Sequence, residues 1–358
     1  MKKTGHFIVL DGLRGVAALA VFCLHMSFLV GFKTFPTRAY LAVDFFFMLS
    51  GFVLAKSYET RLKTTMGFTT FVKIRLVRLY PLFALGTILG AIELYLHIRH
   101  GGPLSPAMTY HNLAVSLALG LLILPFGPVT PKTMPLDEPL WSIMFELLIN
   151  FVYAAFIKIL SQRVLACSIL VCAIVMGAAL WKNGDVPGGD TNGALLSALP
   201  RVTLSFFFGV LLYRFYKEGA FHQLPGCSPL LLAVLLLASF LPSSFGLGWA
   251  YDMACIVILF PAIIILGSKD ALSPRSIPLA AWSGRLSYPL YVLHKPIINH
   301  ISFLKHESTP VRILGIGATM AFVAALSAII TVAADEPFRK WLSGKMRRQT
   351  ASSVDSQA

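Results

Sequence analysis

The stretch Phe7-Ile-Val-Leu-Asp-Gly-Leu-Arg14-Gly-Val-Ala-Ala-Leu-Ala-Val-Phe-Cys-Leu-His25 decides how the rest of the chain is read. Its apolar run reads as a membrane span, where every ionisable group carries a desolvation cost. Arg14 and His25 are eleven residues apart. On an α-helix that is about three turns, so both side chains leave the same face roughly 16 Å apart along the axis. Small neighbours (Gly12, Gly15, Ala17, Ala18) let another helix or a ligand come close.

Working outward, the same composition persists to the C-terminal end. Of 358 residues, 56% are hydrophobic and 13% charged, about half the charge of a soluble domain. The apolar runs are continuous rather than alternating, which excludes a barrel. The expected fold is all-α, a polytopic bundle of about ten spans at 8–29, 39–57, 76–97, 139–160, 163–181, 195–216, 229–245, 249–267, 286–303 and 311–334. A short apolar piece, 112–126, ending at Pro125-Phe-Gly-Pro128, is read as re-entrant or interfacial. The transmembrane domain covers 1–341 and a polar tail 342–358. Ala334-Asp-Glu336-Pro337 is expected to end the last span, because proline cannot continue a helix.

The formal charge of +14 gathers at span ends, as the positive-inside bias requires, so no nucleic-acid partner is implied. Lys56, Arg61, Lys63, Lys73, Arg75 and Arg78 make the 56–78 connection cytoplasmic. Lys158/Arg163, Arg214/Lys217, Lys269/Arg275/Arg285 and the tail Lys340, Lys345, Arg347, Arg348 fall on the same side, while 184–193 and 243–248 fall outside. Both termini are then cytoplasmic. Met1-Lys-Lys looks like a signal n-region, but Asp11 and Arg14 interrupt the apolar core and the segment is kept as an uncleaved span. Cys23, Cys167, Cys172 and Cys255 lie in apolar runs as small buried hydrophobes and Cys227 stands alone in a loop, so neither a disulfide nor a metal site is expected.

Further polar residues recur at helical spacing. Arg75 and Arg78 share a face at a span entrance, suited either to lipid phosphates or to a phosphate-bearing ligand. In Pro139-Leu-Trp141-Ser142-Ile-Met-Phe-Glu146-Leu-Leu-Ile-Asn150 the polar residues return every four positions. That stripe is either an interhelical lock or a cavity wall carrying an acid. Ser287, Tyr291 and His294 align on another span between Pro289 and Pro296, and Asp44 shares a face with Gly51. Arg201 and Asp252 read as isolated charges able to snorkel to the surface. No serine-hydrolase elbow, zinc-protease pair or Walker loop is present.

Five of these pieces occur together in family order, and through them the chain resembles the membrane acyltransferase-3 family. They are Leu10-Asp-Gly-Leu-Arg14-Gly through His25, Phe45-Phe-Phe-Met-Leu-Ser-Gly51, Arg75-Leu-Val-Arg78-Leu-Tyr-Pro, Pro139-Leu-Trp141-Ser142 through Glu146, and Ser287-Tyr-Pro-Leu-Tyr291-Val-Leu-His294. Lys295 stands where the family often carries an apolar or aromatic residue.

The resemblance implies an integral O-acyltransferase of a bacterial inner membrane, moving acetyl or another short acyl group from acyl-coenzyme A to a carbohydrate hydroxyl. Family acceptors include O-antigen, exopolysaccharide, peptidoglycan, periplasmic glucans, Nod factors and macrolide sugars. Acetyl-coenzyme A or another acyl-CoA is then a donor substrate rather than a resident cofactor. The partners are that donor, a carbohydrate or lipid-linked glycan acceptor, and membrane lipid.

His25 is expected as general base, or as an acyl-imidazole carrier, and Glu146 as the second catalytic group. Arg14, Arg75 and Arg78 hold the donor, with Asp335 or Glu336 as alternative partners of Arg14. Asp44, Trp141, Ser142, Ser287, Tyr291 and His294 wall a water-accessible funnel leading past Arg14 to His25. Two other classes compete: a proton-coupled secondary transporter, disfavoured by the lack of internal repeats, and a structural component of a glycan-export complex.

Overall fold

A computed structural model describes residues 7–31, 36–100, 108–125, 130–184, 188–241, 248–269 and 272–355. Met1-Lys-Lys, the Phe126–Pro128 part of the proline-bounded turn and the 243–247 loop lie outside the described residues, as do the side chains of Arg347 and Arg348. The elements are helices α1 (Ile8–Val30), α2 (Ala42–Thr64), α3 (Phe68–Arg99), α4 (Tyr110–Leu121), α5 (Leu140–Phe156), α6 (Gln162–Asn183) and α7 (Ala198–Lys217). They continue as α8 (Pro229–Ala238), α9 (Gly248–Ala254), α10 (Phe260–Gly267), α11 (Ile277–Ile298), α12 (Thr309–Ile330) and α13 (Glu336–Asp355). Among the described residues there is no strand, only an isolated bridge between Lys132 and Thr191.

Seven helical stretches of the described chain are long and apolar enough to cross a membrane: Ile8–Val30, Ala39–Thr64, Phe68–Arg99, Gln162–Lys182, Ala198–Lys217, Gly248–Gly267 and Thr309–Lys345. Leu140–Phe156 and Pro229–Ala238 are shorter apolar helices, and α11 is the helix that carries Ser287, Tyr291 and His294. The outward faces of α6 and α12 present Leu170, Ile174, Ile313, Leu314 and Phe322, the apolar surface that a bilayer requires. Cys167 is exposed on α6 rather than buried.

Two expectations change and one holds. The 56–78 connection is almost entirely helical, since α2 runs to Thr64 and α3 starts at Phe68, with Pro81 carried inside it. The short apolar piece agrees with its reading as a non-spanning segment: it is α4, whose 12 residues reach about 18 Å, short of a bilayer core of roughly 30 Å. Pro337 does not end the last span. A π-helical turn at Thr331–Asp335 joins α12 to α13. Pro337 then falls directly after that turn, at the second position of α13, where the π-helical break in the regular hydrogen-bond ladder takes up a residue without an N–H.

Two helix pairs form the frame. In α2 and α7 the backbones touch: a methyl group on Gly51 would collide with the Phe206 carbonyl, and one on Gly209 with that of Met48. In α1 and α11, Gly15 abuts the Ser283 backbone and Gly284 abuts Asp11. Without a hydrophobic drive between helices in lipid, such close approach supplies packing energy. The polar residues on these helices are what the bundle encloses.

Candidate active site

The α1–α11 contact delivers the polar faces of both helices to one axis. Arg14 donates to Ser287 Oγ at 2.9 Å and to the Gly284 carbonyl at 2.7 Å, with Asp11 one turn back at 3.3 Å. Asp11, not Asp335 or Glu336, is therefore its neighbouring carboxylate. Further along, His25 Nδ1 lies 2.8 Å from His294 Nε2. Arg14 and His25 do share a helix face, and each is met by its own residue of α11.

Beside this pair is a cavity of about 520 Å³, within the usual size of a small-molecule site. Arg78 and Arg285, both exposed, stand at its mouth with Lys56, Glu336 and Arg339. Midway, α5 brings Glu146 against α3 and α2: Arg75 Nη2 and Ser50 Oγ both donate to its Oε1, at 2.8 and 2.9 Å. Arg75 Nε, buried, has no hydrogen-bond partner. The deep end is lined by Ser142, Tyr291 and Phe46. Ser142 Oγ and Tyr291 Oη are 2.8 Å apart, and the Phe46 ring meets Tyr291 edge-on at 5.7 Å.

The cavity thus brings together Arg14, Arg75, Arg78, Ser142, Glu146, Ser287 and Tyr291. Four expected residues do not line it. His294 is wholly buried one turn beyond Tyr291, and His25 lies behind it, so the funnel stops short of the histidines. α1 covers that part of α11 and its own histidine takes the space. Asp44 is fully buried between α2 and α7, accepting from Arg201 Nη2 at 2.7 Å and Ser205 Oγ at 3.1 Å.

The cavity face of α2 carries Val43, Phe46, Phe47, Ser50 and Leu54. Asp44 and Gly51 do share a face, about a third of a turn round the helix from that one, and it is turned to α7. Trp141 packs against Phe47 and Phe145 with the Arg201 guanidinium 5.8 Å from its ring. Arg201 and Asp252 are not isolated either, since Asp252 pairs with Arg38 and accepts from Tyr40 Oη at 2.7 Å.

Sequence reasoning missed Ser50, Lys56, Tyr288 and Arg339 on the cavity wall. Ser50, seven residues from both Val43 and Ser57 on the same face, was findable from periodicity; the others gave no signal apart from position near a span end. It also missed a charged cluster in the loop before α5. Lys132 lies 3.0 Å from Glu138 and 3.6 Å from Asp190, and Lys295 lies 3.5 Å from Glu138. Burial would raise the Glu138 carboxyl, but Lys295 and Lys132 hold it below its ordinary range. Asp137 is wholly buried with neither carboxylate oxygen hydrogen-bonded, and burial pushes it well above the usual carboxylate value.

Comparison with known proteins bears on this geometry. Residues 7–334 match the acyltransferase-3 family model, described as an acyltransferase domain. A Rhizobium radiobacter protein called "Protein 2 in picA locus" is 39% identical over 190 residues, 48% of this chain and 95% of its own length. The Streptomyces mycarofaciens "Acyltransferase MdmB" is 26% identical over 81% of this chain and 79% of its own. The Bacillus subtilis (strain 168) protein YrhL, named as a peptidoglycan O-acetyltransferase, is 25% identical over 86% of this chain and 50% of its own. No solved structure matches. With the family model spanning nearly the whole helical bundle and most of the cavity lining, the chain belongs to the acyltransferase-3 family and is a multi-pass membrane acyltransferase.

Proposed function

We propose that the protein transfers acetyl, or another short acyl group, from acyl-coenzyme A to a carbohydrate hydroxyl. The observation that carries this reading is the cavity whose mouth and middle hold Arg14, Arg75, Arg78, Arg285 and Lys56 and whose deep end is closed by Tyr291, the residue that separates it from His294 and, behind that, His25. Guanidiniums at a mouth suit the phosphates of a nucleotide-bearing donor, since arginine grips phosphate through two parallel N–H bonds. A slender thioester arm would then reach inward past Glu146. In this reading the arginine-rich mouth faces the cytoplasm from a bacterial inner membrane, with both termini on that side, an orientation that the positive-inside bias supports. The names of two relatives, an acyltransferase and a peptidoglycan O-acetyltransferase, support O-acetyl transfer to a glycan.

In this reading His25 takes the proton of the acceptor hydroxyl as its oxygen attacks the thioester carbonyl, a role that contributes about 10²–10⁴-fold in rate. The test is protein in liposomes supplied with acetyl-coenzyme A labelled in the acetyl group, with and without glycan. Acceptor-dependent release of free thiol with label in the glycan is expected from wild type and absent from His25→Ala at equal protein. Thiol release that needs no acceptor, or an active His25→Ala, would overturn the reading.

A further inference from the structure

The geometry points to His294 as a positioning residue that holds His25 in the single tautomer whose Nε2 carries the basic lone pair. This rests on the reading of His25 as the base. His294 Nδ1 lies 2.8 Å from the Tyr291 carbonyl oxygen and 3.1 Å from that of Leu290. Carbonyl oxygens accept and cannot donate, so Nδ1 bears the hydrogen.

The ring is wholly buried, with no carboxylate among its hydrogen-bond partners, a setting that holds an imidazole neutral. Its Nε2 is therefore bare. Across 2.8 Å, that lone pair requires a donor, and His25 Nδ1 must carry its hydrogen. The remaining nitrogen of a neutral His25, Nε2, is left as the proton acceptor. The arrangement does not drift, because the His294 ring is boxed by Phe22 at 5.8 Å and Tyr291 at 6.0 Å between centroids.

In the transfer, the hydroxyl O–H bond breaks and its proton passes to His25 Nε2 while the oxygen bonds to the acyl carbon. The C–S bond then breaks and the leaving thiolate takes that proton from Nε2, which returns His25 to its starting tautomer. The cationic ring formed between these events keeps its Nδ1–H bond to a neutral acceptor. His294 thus does with a neutral ring what a carboxylate does for many catalytic histidines. No second anion has to be buried in the membrane beside the reacting groups.

The test compares His294→Phe, which keeps ring volume but offers no acceptor, with His294→Gln. In the glutamine variant the Tyr291 and Leu290 carbonyls hold the amide NH₂, so its oxygen faces His25 and preserves the acceptor. At equal accumulation, kcat is expected to fall about 100-fold in His294→Phe, with KM for acetyl-coenzyme A within twofold. His294→Gln should keep more than a tenth of wild-type kcat. A His294→Phe enzyme within threefold of wild type, or a glutamine variant no better than phenylalanine, would overturn the inference. ¹⁵N NMR of wild-type protein labelled at histidine reads the same point without any variant: His25 is expected with hydrogen on Nδ1, and hydrogen on Nε2 would overturn it. If His25→Ala itself stays active, the parent reading fails instead.

Discussion

Two buried arginine–carboxylate pairs of this molecule look alike in sequence and differ in place. Arg201–Asp44 is sealed, with side chains 3% and 0% exposed, and Asp44 accepts from Arg201 Nε and Nη2 and from Ser205. Arg75–Glu146 is open on one side: Arg75 is 4% exposed, but Glu146 is 20% exposed on a cavity wall, and Arg75 and Ser50 both donate to its Oε1. The sealed pair joins α2 to α7 where glycines let the backbones touch, so its work is done once the helices have met. The open pair keeps part of its carboxylate on the cavity wall, within reach of something that enters, while Arg75 holds it from the buried side. Partner identity does not separate structure from chemistry in a membrane interior; residual access does.

The largest effect that would break this comparison is at the sealed pair. Asp44→Ala leaves Arg201 buried without its partner, a loss of about 3–5 kcal/mol. Purified yield and thermal melting in detergent should collapse, while an apolar Asp44→Leu/Arg201→Met pair recovers much of both. A stable Asp44→Ala that loses only activity would move Asp44 into the catalytic machinery.

At the open pair the expected loss is catalytic. Arg75→Lys should leave melting nearly unchanged and raise the apparent KM for acetyl-coenzyme A roughly tenfold, about 1.4 kcal/mol, because lysine lacks the planar fork. Unchanged KM in both Arg75→Lys and Arg78→Lys would remove the donor from this end of the cavity.

Smaller still is the bond closing the deep end. Tyr291→Phe and Ser142→Ala should each cost about 1 kcal/mol in kcat/KM, with a double variant no worse than either alone. Additive losses would mean that the two groups act separately.

The smallest effect concerns Asp137, where neither oxygen is hydrogen-bonded. Its carboxyl is pushed up by burial, so the folded state holds its proton more tightly than the unfolded chain. That contribution to stability is lost as pH rises from the ordinary carboxylate range through the raised native value. Asp137→Asn lacks the loss, so its melting temperature should gain on wild type by a margin that grows as pH rises above the ordinary carboxylate range. A constant margin would show that Asp137 keeps its charge throughout.

Periodicity and charge were enough to read the all-helical membrane class, the shared faces of Arg14 with His25 and of Ser287 with Tyr291 and His294, and the polar stripe of α5. Each is a local consequence of 3.6 residues per turn and of the cost of burying charge in lipid. They could not say which neighbour a polar face would meet. That Asp44 turns to Arg201 while Ser50 turns to Glu146 depends on how α2 is rotated against α5 and α7, and glycine contacts distant in sequence set that rotation. The continuation past Pro337 likewise depends on a π-helical turn that no local propensity announces. The meeting of His25 with His294 joins residues 269 positions apart. Helical spacing marks faces along one rod, and only packing between rods decides which faces become a lock, a cavity or a catalytic pair.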